Sequence, residues 1–513
     1  MKSLQPCHAI KRFKRFVSIA AVLLAVVCCT PAPFAQAAAP AAVQTDKFVT
    51  VYPGVYTERE KAAVAKYLAD NKAIADRGQV DVQALIHGTL PKDTPGIGPV
   101  LPVTEAMVRY NNQKYDPENR VLNDAAYARS LGFENIPAYP TYAPNDDSIL
   151  KPYPANVRDT LLVSQLNHDI TIDKPIYPGD TLYTVITERT IMDITPPEGS
   201  IYRSLAIQCK AAIYNQKGEK VNDATFRVVE SVRMYKEGLG PKNPTFKDIW
   251  EAPNWMTRPA HSYTDKDWTF IKGLWAKEKR QGATPLYWED VKIGDQPTWT
   301  ADGPIVASID PTVPYGMGVG GSRTMRKEIM DPATFKTMIR DKNNGNYLLP
   351  NKADYIPVAP DVKPREMPAG AKPEGDIDTK DIHKQTDTRA VLINYFGRDI
   401  AIRHIDNWMG DHGAITSIRW GIMDKGAHAA YGKTVPQSPF SENFLAHVPF
   451  MKDKSVNAHG MTGDLAIVKS YVYNKYVRDG AFYADLAWWV ESIDGYIWES
   501  GAATVKLPSK NAK

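Results

Sequence analysis

The chain has 513 residues, 43% of them hydrophobic, and a formal net charge of +4 that becomes small once a basic N-terminal cluster is set aside. That balance supplies no basic surface of the kind that nucleic-acid binding requires. Three of the four cysteines (Cys7, Cys28 and Cys29) lie at the extreme N-terminus, so a processed chain keeps Cys209 alone and no intramolecular disulfide.

Residues 1–37 have the layout of an export signal. Lys11, Arg12, Lys14 and Arg15 are a basic leader, Val17 to Cys29 is an apolar run too short to span a bilayer comfortably, and Ala35-Gln36-Ala37 is a small-x-small cleavage site. A lipoprotein is the first alternative, disfavoured because Val27 and Cys28, not a small residue, precede the two cysteines. An uncleaved anchor is the second. The expectation is cleavage near Ala37 and a periplasmic or secreted product. No later run is long enough to cross a membrane.

The processed chain, about 475 residues, has room for two or three domains. Residues 38–100 read as an N-terminal extension. Within it Thr57 to Asp76 is predicted helical, with Thr57 and Glu60 forming a capping box. Residues 101–236 read as a first domain. Val121 to Phe133 and Asn156 to Leu166 are predicted helical there, followed by strands ending in Tyr202 to Tyr214 and Asp223 to Met234, where apolar residues alternate. Cys209 falls in such an alternating strand and reads as a small core residue. Residues 237–285 are a linker with a helical piece around Trp268 to Arg280. Residues 286–513 form a second domain carrying an irregular insertion at 310–375. The insertion's Gly316 to Gly321 lacks the spacing of a dinucleotide loop and has no βαβ unit around it, so no nucleotide cofactor is expected.

The stretch from Gly375 to Gly413 starts as an acidic loop and becomes an amphipathic helix at about Gly397. Strand Ile415 to Met423 and a meander from Gly463-Asp464 to the C-terminus follow it. Trp488 and Trp489 are adjacent in that meander, so one is predicted to face the helix and the other the partner sheet or solvent. Ala458 to Met461 imitates a helix start but runs directly into a strand. The C-terminal meander repeats the first domain's, Gly179-Asp180 matching Gly463-Asp464. Repetition of a whole unit implies two similar α+β halves, each a helix wrapped by an antiparallel sheet, that can cover each other's sheet edges.

With these blocks in place the chain resembles the MaoC-like dehydratase and hydratase group, which includes the (R)-specific enoyl-CoA hydratases. The resemblance covers most of Val103 to Pro508. It is carried by NDAAYARSLGFENIPAYPT and KPIYPGDTL in the first half, and by YWEDVKIGD, HIDNWMGDHG and SGAATVKLPS in the second. It implies a double hot-dog fold and a lyase that hydrates or dehydrates an acyl thioester. Of the group's Asp-x-Asn-Pro-Ile-His motif, DTKDIH keeps Asp378, Ile382 and His383 and replaces Asn and Pro with Lys380 and Asp381. PENRVL in the first half has Pro117 and Leu122 at the acid and base positions, which implies a catalytically degenerate half.

Chemically, an Asp378/His383 pair gripping one water could act as acid and base, and the Gly397 N–H at a helix start could hold an enolate oxygen. The bland readings are a solvated acidic loop, with Asp376 or Asp381 as the relevant acid, a surface His383, and a Gly397 that serves only helix packing. His404 and His412, with Asp406 and Asp411, invite a metal reading, but a helix-face histidine and a turn histidine fit better, so no metal is expected. Trp408 and Met409 read as core. The implied partner is a small acyl molecule, and a homodimer is compatible with the fold. The competing functional readings are a non-catalytic binding protein for an acyl or aromatic acid, and a structural subunit.

Overall fold

The computed structural model describes residues 41–45, 48–52, 58–145, 149, 163–194, 202–233, 258–259, 261–305, 395–424, 426, 438–461 and 463–511, with short pieces between 330 and 348. The expected export signal, and both Asp378 and His383, lie outside these residues.

Among the described residues β1 (Ala41–Thr45) and β2 (Phe48–Tyr52) form a hairpin of their own. The main sheet takes β3 (Ile97–Pro102), β4 (Val163–Ile172), β5 (Thr181–Asp193), β6 (Tyr202–Tyr214) and β7 (Lys220–Arg233) from the first half, and β8 (Thr300–Asp302) from the second. After another small hairpin, β9 (Ile339–Arg340) with β10 (Tyr347–Leu348), come β11 (Ala414–Gly421), β12 (Ala466–Arg478), β13 (Ala481–Glu491) and β14 (Ile497–Leu507). The sheet has ten strands in the order β3-β5-β6-β7-β4-β11-β14-β13-β12-β8, every neighbour antiparallel. Read outward from its middle, the order is β4-β7-β6-β5-β3 on one side and β11-β14-β13-β12-β8 on the other. The five strands of each half therefore occupy equivalent places, and the internal repeat is a repeat of topology. The halves meet where β4 pairs β11, with His168 opposite Trp420 and Ile170 opposite Ile418. This is the double hot-dog plan, α+β in class.

Among the described residues the α-helices are α1 (Glu58–Arg77), α2 (Val82–Ile86), α3 (Glu105–Tyr115), α4 (Arg120–Asn123), α5 (Ala125–Ser130), α6 (Asp265–Lys277), α7 (Pro332–Phe335) and α8 (Tyr395–Met409). None of them is long and apolar enough to cross a membrane. Tyr67 and Ile74 of α1 enter the first-half core with Leu182, Ile186, Ile207 and Cys209. Burial pushes the Cys209 thiol up to about 12, and its Sγ donates to the Ile149 carbonyl at 2.9 Å, which suits the small core residue expected. Thr57 of the predicted capping box lies outside the described residues.

The structure corrects several expectations. The predicted helix at Val121 to Phe133 is two short helices, broken where the Asp124 side chain caps α5 by accepting from the Ala126 and Tyr127 N–H groups. Val163 to Leu166, predicted as a helix end, open strand β4, because ladder pairing with β7 overrides local propensity. And α8 has no solvent-facing polar side: Gly397 to Asn407 are all buried. Its apolar residues Ile400, Ile402, Ile405 and Met409 pack into the second-half core with Val468, Leu486, Trp488 and Val505. Its polar residues are buried as well, in paired clusters at either end.

Trp488 faces that core. Trp489 points to the opposite face, packed with Leu445, Val448 and Val456 beneath the 438–461 segment, not against a partner sheet or solvent. Ala458 to Met461 is no helix, and β12 follows at Ala466.

Candidate active site at the head of helix α8

Gly397 is the third residue of α8, where backbone N–H groups have no partner within the helix. A Cβ built on Gly397 would run into the carboxyl of Glu499 on β14, so the close approach that requires glycine here is made by a side chain of the same protein. Glu499 reaches this point through a local irregularity. Val490 pairs Glu499 while Glu491 pairs Ile497, leaving Trp498 as an extra residue in β14. From the bulge onward, Glu499, Gly501, Ala503, Val505 and Leu507 share the face turned toward α8.

Glu499 has no exposed surface. The N–H groups of Gly397 and Arg398 lie near enough to favour its charged form, yet neither closes a well-formed hydrogen bond, and both carboxyl oxygens remain without one. Burial, only partly offset by the Arg398 charge, holds its pKa well above the ordinary glutamate value. Burial thus favours the protonated form of this carboxyl.

The adjacent ions are differently placed. Arg398 donates from Nε to Asp399 Oδ1 at 2.7 Å, from Nη2 to Asp399 Oδ2 at 3.1 Å and from Nη1 to Asn145 Oδ1 at 3.0 Å. Its guanidinium also sits over Trp420, 4.6 Å from the ring centroid. Asp399 accepts in addition from Thr141 Oγ1 at 3.0 Å, and its backbone oxygen accepts from the Tyr139 hydroxyl at 2.6 Å. Tyr115 stacks on Tyr139 with centroids 4.9 Å apart. His168 of β4 stacks on Trp420 at 4.5 Å, and burial, then the Arg398 charge, drives its pKa well below the histidine norm. First-half residues thus form one wall of the α8 head.

The other end of α8 holds a second buried cluster. Arg403 is paired with Asp302 and Glu278, and Asn407 donates to Glu278 at 2.9 Å. Burial works to lower the Arg403 pKa, but the two carboxylates reverse that and raise it. Arg280 pairs Asp116 at 2.6 Å. Asp406 is pushed up to about 8, first by burial and then by Asp116. His404 lies between Thr300 Oγ1 at 3.2 Å and Ser470 Oγ at 2.8 Å, and burial lowers its pKa to about 3. His412 Nε2 lies 3.1 Å from the Ala283 carbonyl oxygen. Among the described residues no group of three His, Cys, Asp or Glu side chains could hold a metal ion. Met409 belongs to the core, Trp408 is partly buried against it, and Leu122 is buried in that same core.

No family model and no curated protein matches the chain. It is similar in fold to a MaoC-like dehydratase, at 13% identity over 80% of this chain and 96% of that one, with a TM-score of 0.40. A MaoC-like dehydratase from Phytophthora capsici aligns at 9% identity over 81% of this chain and 97% of its own, TM-score 0.31. A conserved hypothetical protein from Mycobacterium tuberculosis with a double hotdog fold aligns at 9% identity over 80% and 94%, TM-score 0.33. At these identities the likeness is one of fold alone.

Sequence reasoning missed Glu499. The cue is present: in EGAVL read at every second residue from Glu499 to Leu507, one carboxyl heads an otherwise apolar or small helix-facing stripe. It also missed Arg398, Asp302 and Glu278, whose burial depends on partners far along the chain.

Proposed function

We propose that the protein is a hydro-lyase acting on an enoyl or 3-hydroxyacyl thioester, or on a related unsaturated acid, at the head of α8. The observation that carries this reading is Gly397: a side-chain-free position on the first turn of a helix buried from Gly397 to Asn407, downstream in sequence of the DTKDIH stretch. Asp378 and His383 hold the water. Its oxygen adds to the β-carbon, one proton goes to the α-carbon, and negative charge collects transiently on the carbonyl oxygen. The Gly397 N–H, at the positive end of the helix, stabilises that oxygen. The first half, without an acid and base at Pro117 and Leu122, serves as the wall of the site.

A second reading, a non-catalytic small-acid binding protein, is supported by Lys380 and Asp381 in the motif and by the carboxyl already lying against Gly397. Export suits a substrate other than a cytoplasmic CoA ester. Edman sequencing of the mature chain tests the signal, and a start near residue 38 is expected. A panel of 2-enoyl thioesters and free unsaturated acids tests the chemistry. Asp378→Asn and His383→Ala are each expected to lower turnover by about 10²–10⁴-fold without moving Tm. Full turnover in either variant sinks the assignment. A wild type inert to the whole panel, yet stabilised thermally by a small acid, selects the binding protein.

A further inference from the structure

Glu499 has the environment of a group waiting for a ligand. Each guanidinium nitrogen of Arg398 donates to Asp399 or Asn145, and among the described residues no ion pair to Glu499 is formed. An isolated buried carboxylate is expensive, whereas a neutral acid is tolerated and keeps one O–H to donate. Among the described residues no acceptor takes that O–H. For purely structural purposes an apolar side chain would fill the same volume without the cost of about 1–3 kcal/mol for an unsatisfied buried polar group. Three independent features nevertheless aim a carboxyl here: the bulge at Trp498, the missing side chain at Gly397, and the N-terminus of a helix of 15 residues.

We propose that the Glu499 carboxyl is a second hydrogen-bond donor, beside the Gly397 N–H, to the carbonyl oxygen of the acyl compound bound at the head of α8. The identity of the ligand rests on the hydro-lyase reading, while the donor geometry does not. During hydration the double-bond electrons move onto that oxygen and return when the α-carbon is protonated. Glu499 keeps its proton throughout and only shortens its hydrogen bond. A protonated carboxyl is suited to this because it donates without placing a negative charge next to the developing oxyanion. Asp399 cannot take the role, since both of its oxygens are already accepting.

The test uses the full-length protein and the pantetheine thioester of cinnamic acid, whose absorption moves to longer wavelength when its carbonyl accepts a strong hydrogen bond. Wild type is expected to red-shift the bound thioester. Glu499→Gln keeps part of the shift because the amide still donates. Glu499→Met loses it and, where hydration is measurable, slows it about 10²–10³-fold. Infrared difference spectra on wild type guard against a Glu499→Met that fails to fold: a protonated-carboxyl band, missing in Glu499→Gln, should move when the thioester is added. A full red shift in folded Glu499→Met, or a carboxyl band that the thioester leaves unmoved, overturns the proposal. A wild type that red-shifts the thioester but never hydrates it overturns the hydro-lyase reading, and loss of that shift in folded Glu499→Met then upholds Glu499 as a donor in a binding site. A wild type that neither shifts nor hydrates it overturns both.

Discussion

Residue 397 lacks a side chain because of what stands opposite it. Alanine would bring its methyl against the Glu499 carboxyl, which has no solvent to retreat into. Gly397→Ala should therefore cost about 1–3 kcal/mol, as overpacked interiors do. The sharper expectation concerns coupling. In a Glu499→Ala background the obstruction is gone, and the cost of alanine at 397 should fall by at least about 0.5 kcal/mol. Urea unfolding of the four proteins in the cycle measures it. Strict additivity would mean that the two residues do not constrain each other. The glycine was legible in the sequence as a helix-start position, but its opponent was not, because Glu499 meets it across the sheet–helix interface from a strand about a hundred residues downstream. Only the break in the apolar stripe of β14 marked it.

At the scale of the element, α8 was visible in outline. Ala401, Ile405 and Met409 recur at the spacing that lays one stripe on a sheet, and Ile402 widens it. The fate of its polar residues was not visible. A helix bearing Arg, Asp, His and Asn reads as half solvated, and here those side chains are buried against Asp302, Glu278, Thr300 and Ser470, partners that the helical period cannot reveal. Asp406 gives this a measurable consequence. Its folded pKa of about 8 lies above the ordinary 3.8, raised first by burial and then by Asp116 and Asp411, with Arg280 opposing. The folded state thus binds the proton more tightly than the unfolded chain. The stabilisation is fully present below 3.8 and is lost as pH rises through about 8. Asp406→Asn removes the titration, so the difference in Tm between wild type and variant should turn steadily against wild type from pH 5 to pH 8. Parallel pH profiles would show that Asp406 is ionised in the folded protein.

At the scale of the whole molecule, the halves share one sheet through a single seam, β4 against β11, and also share a core. The second-half core contains Leu122, Tyr139 and Ile170 from the first half, and Asn145 and Thr141 hold the Arg398–Asp399 pair. The repeat made this union readable, since two similar sheets with open edges protect each other by pairing. Neither half should then be content alone. In residues 41–257 expressed separately, the β11-facing edge of β4, from Asn167 to Thr171, would present unpaired N–H and C=O groups beside exposed Tyr139 and Ile170. Because β11 runs antiparallel to β4, a second copy of β4 can take its place across a two-fold axis. Light scattering should find this fragment dimeric or aggregated. Added residues 258–513 should convert it to a one-to-one complex, since the native seam adds side-chain contacts that the β4–β4 pair lacks. A fragment that stays monomeric and soluble would show that the seam is dispensable, and that the first half completes its own fold.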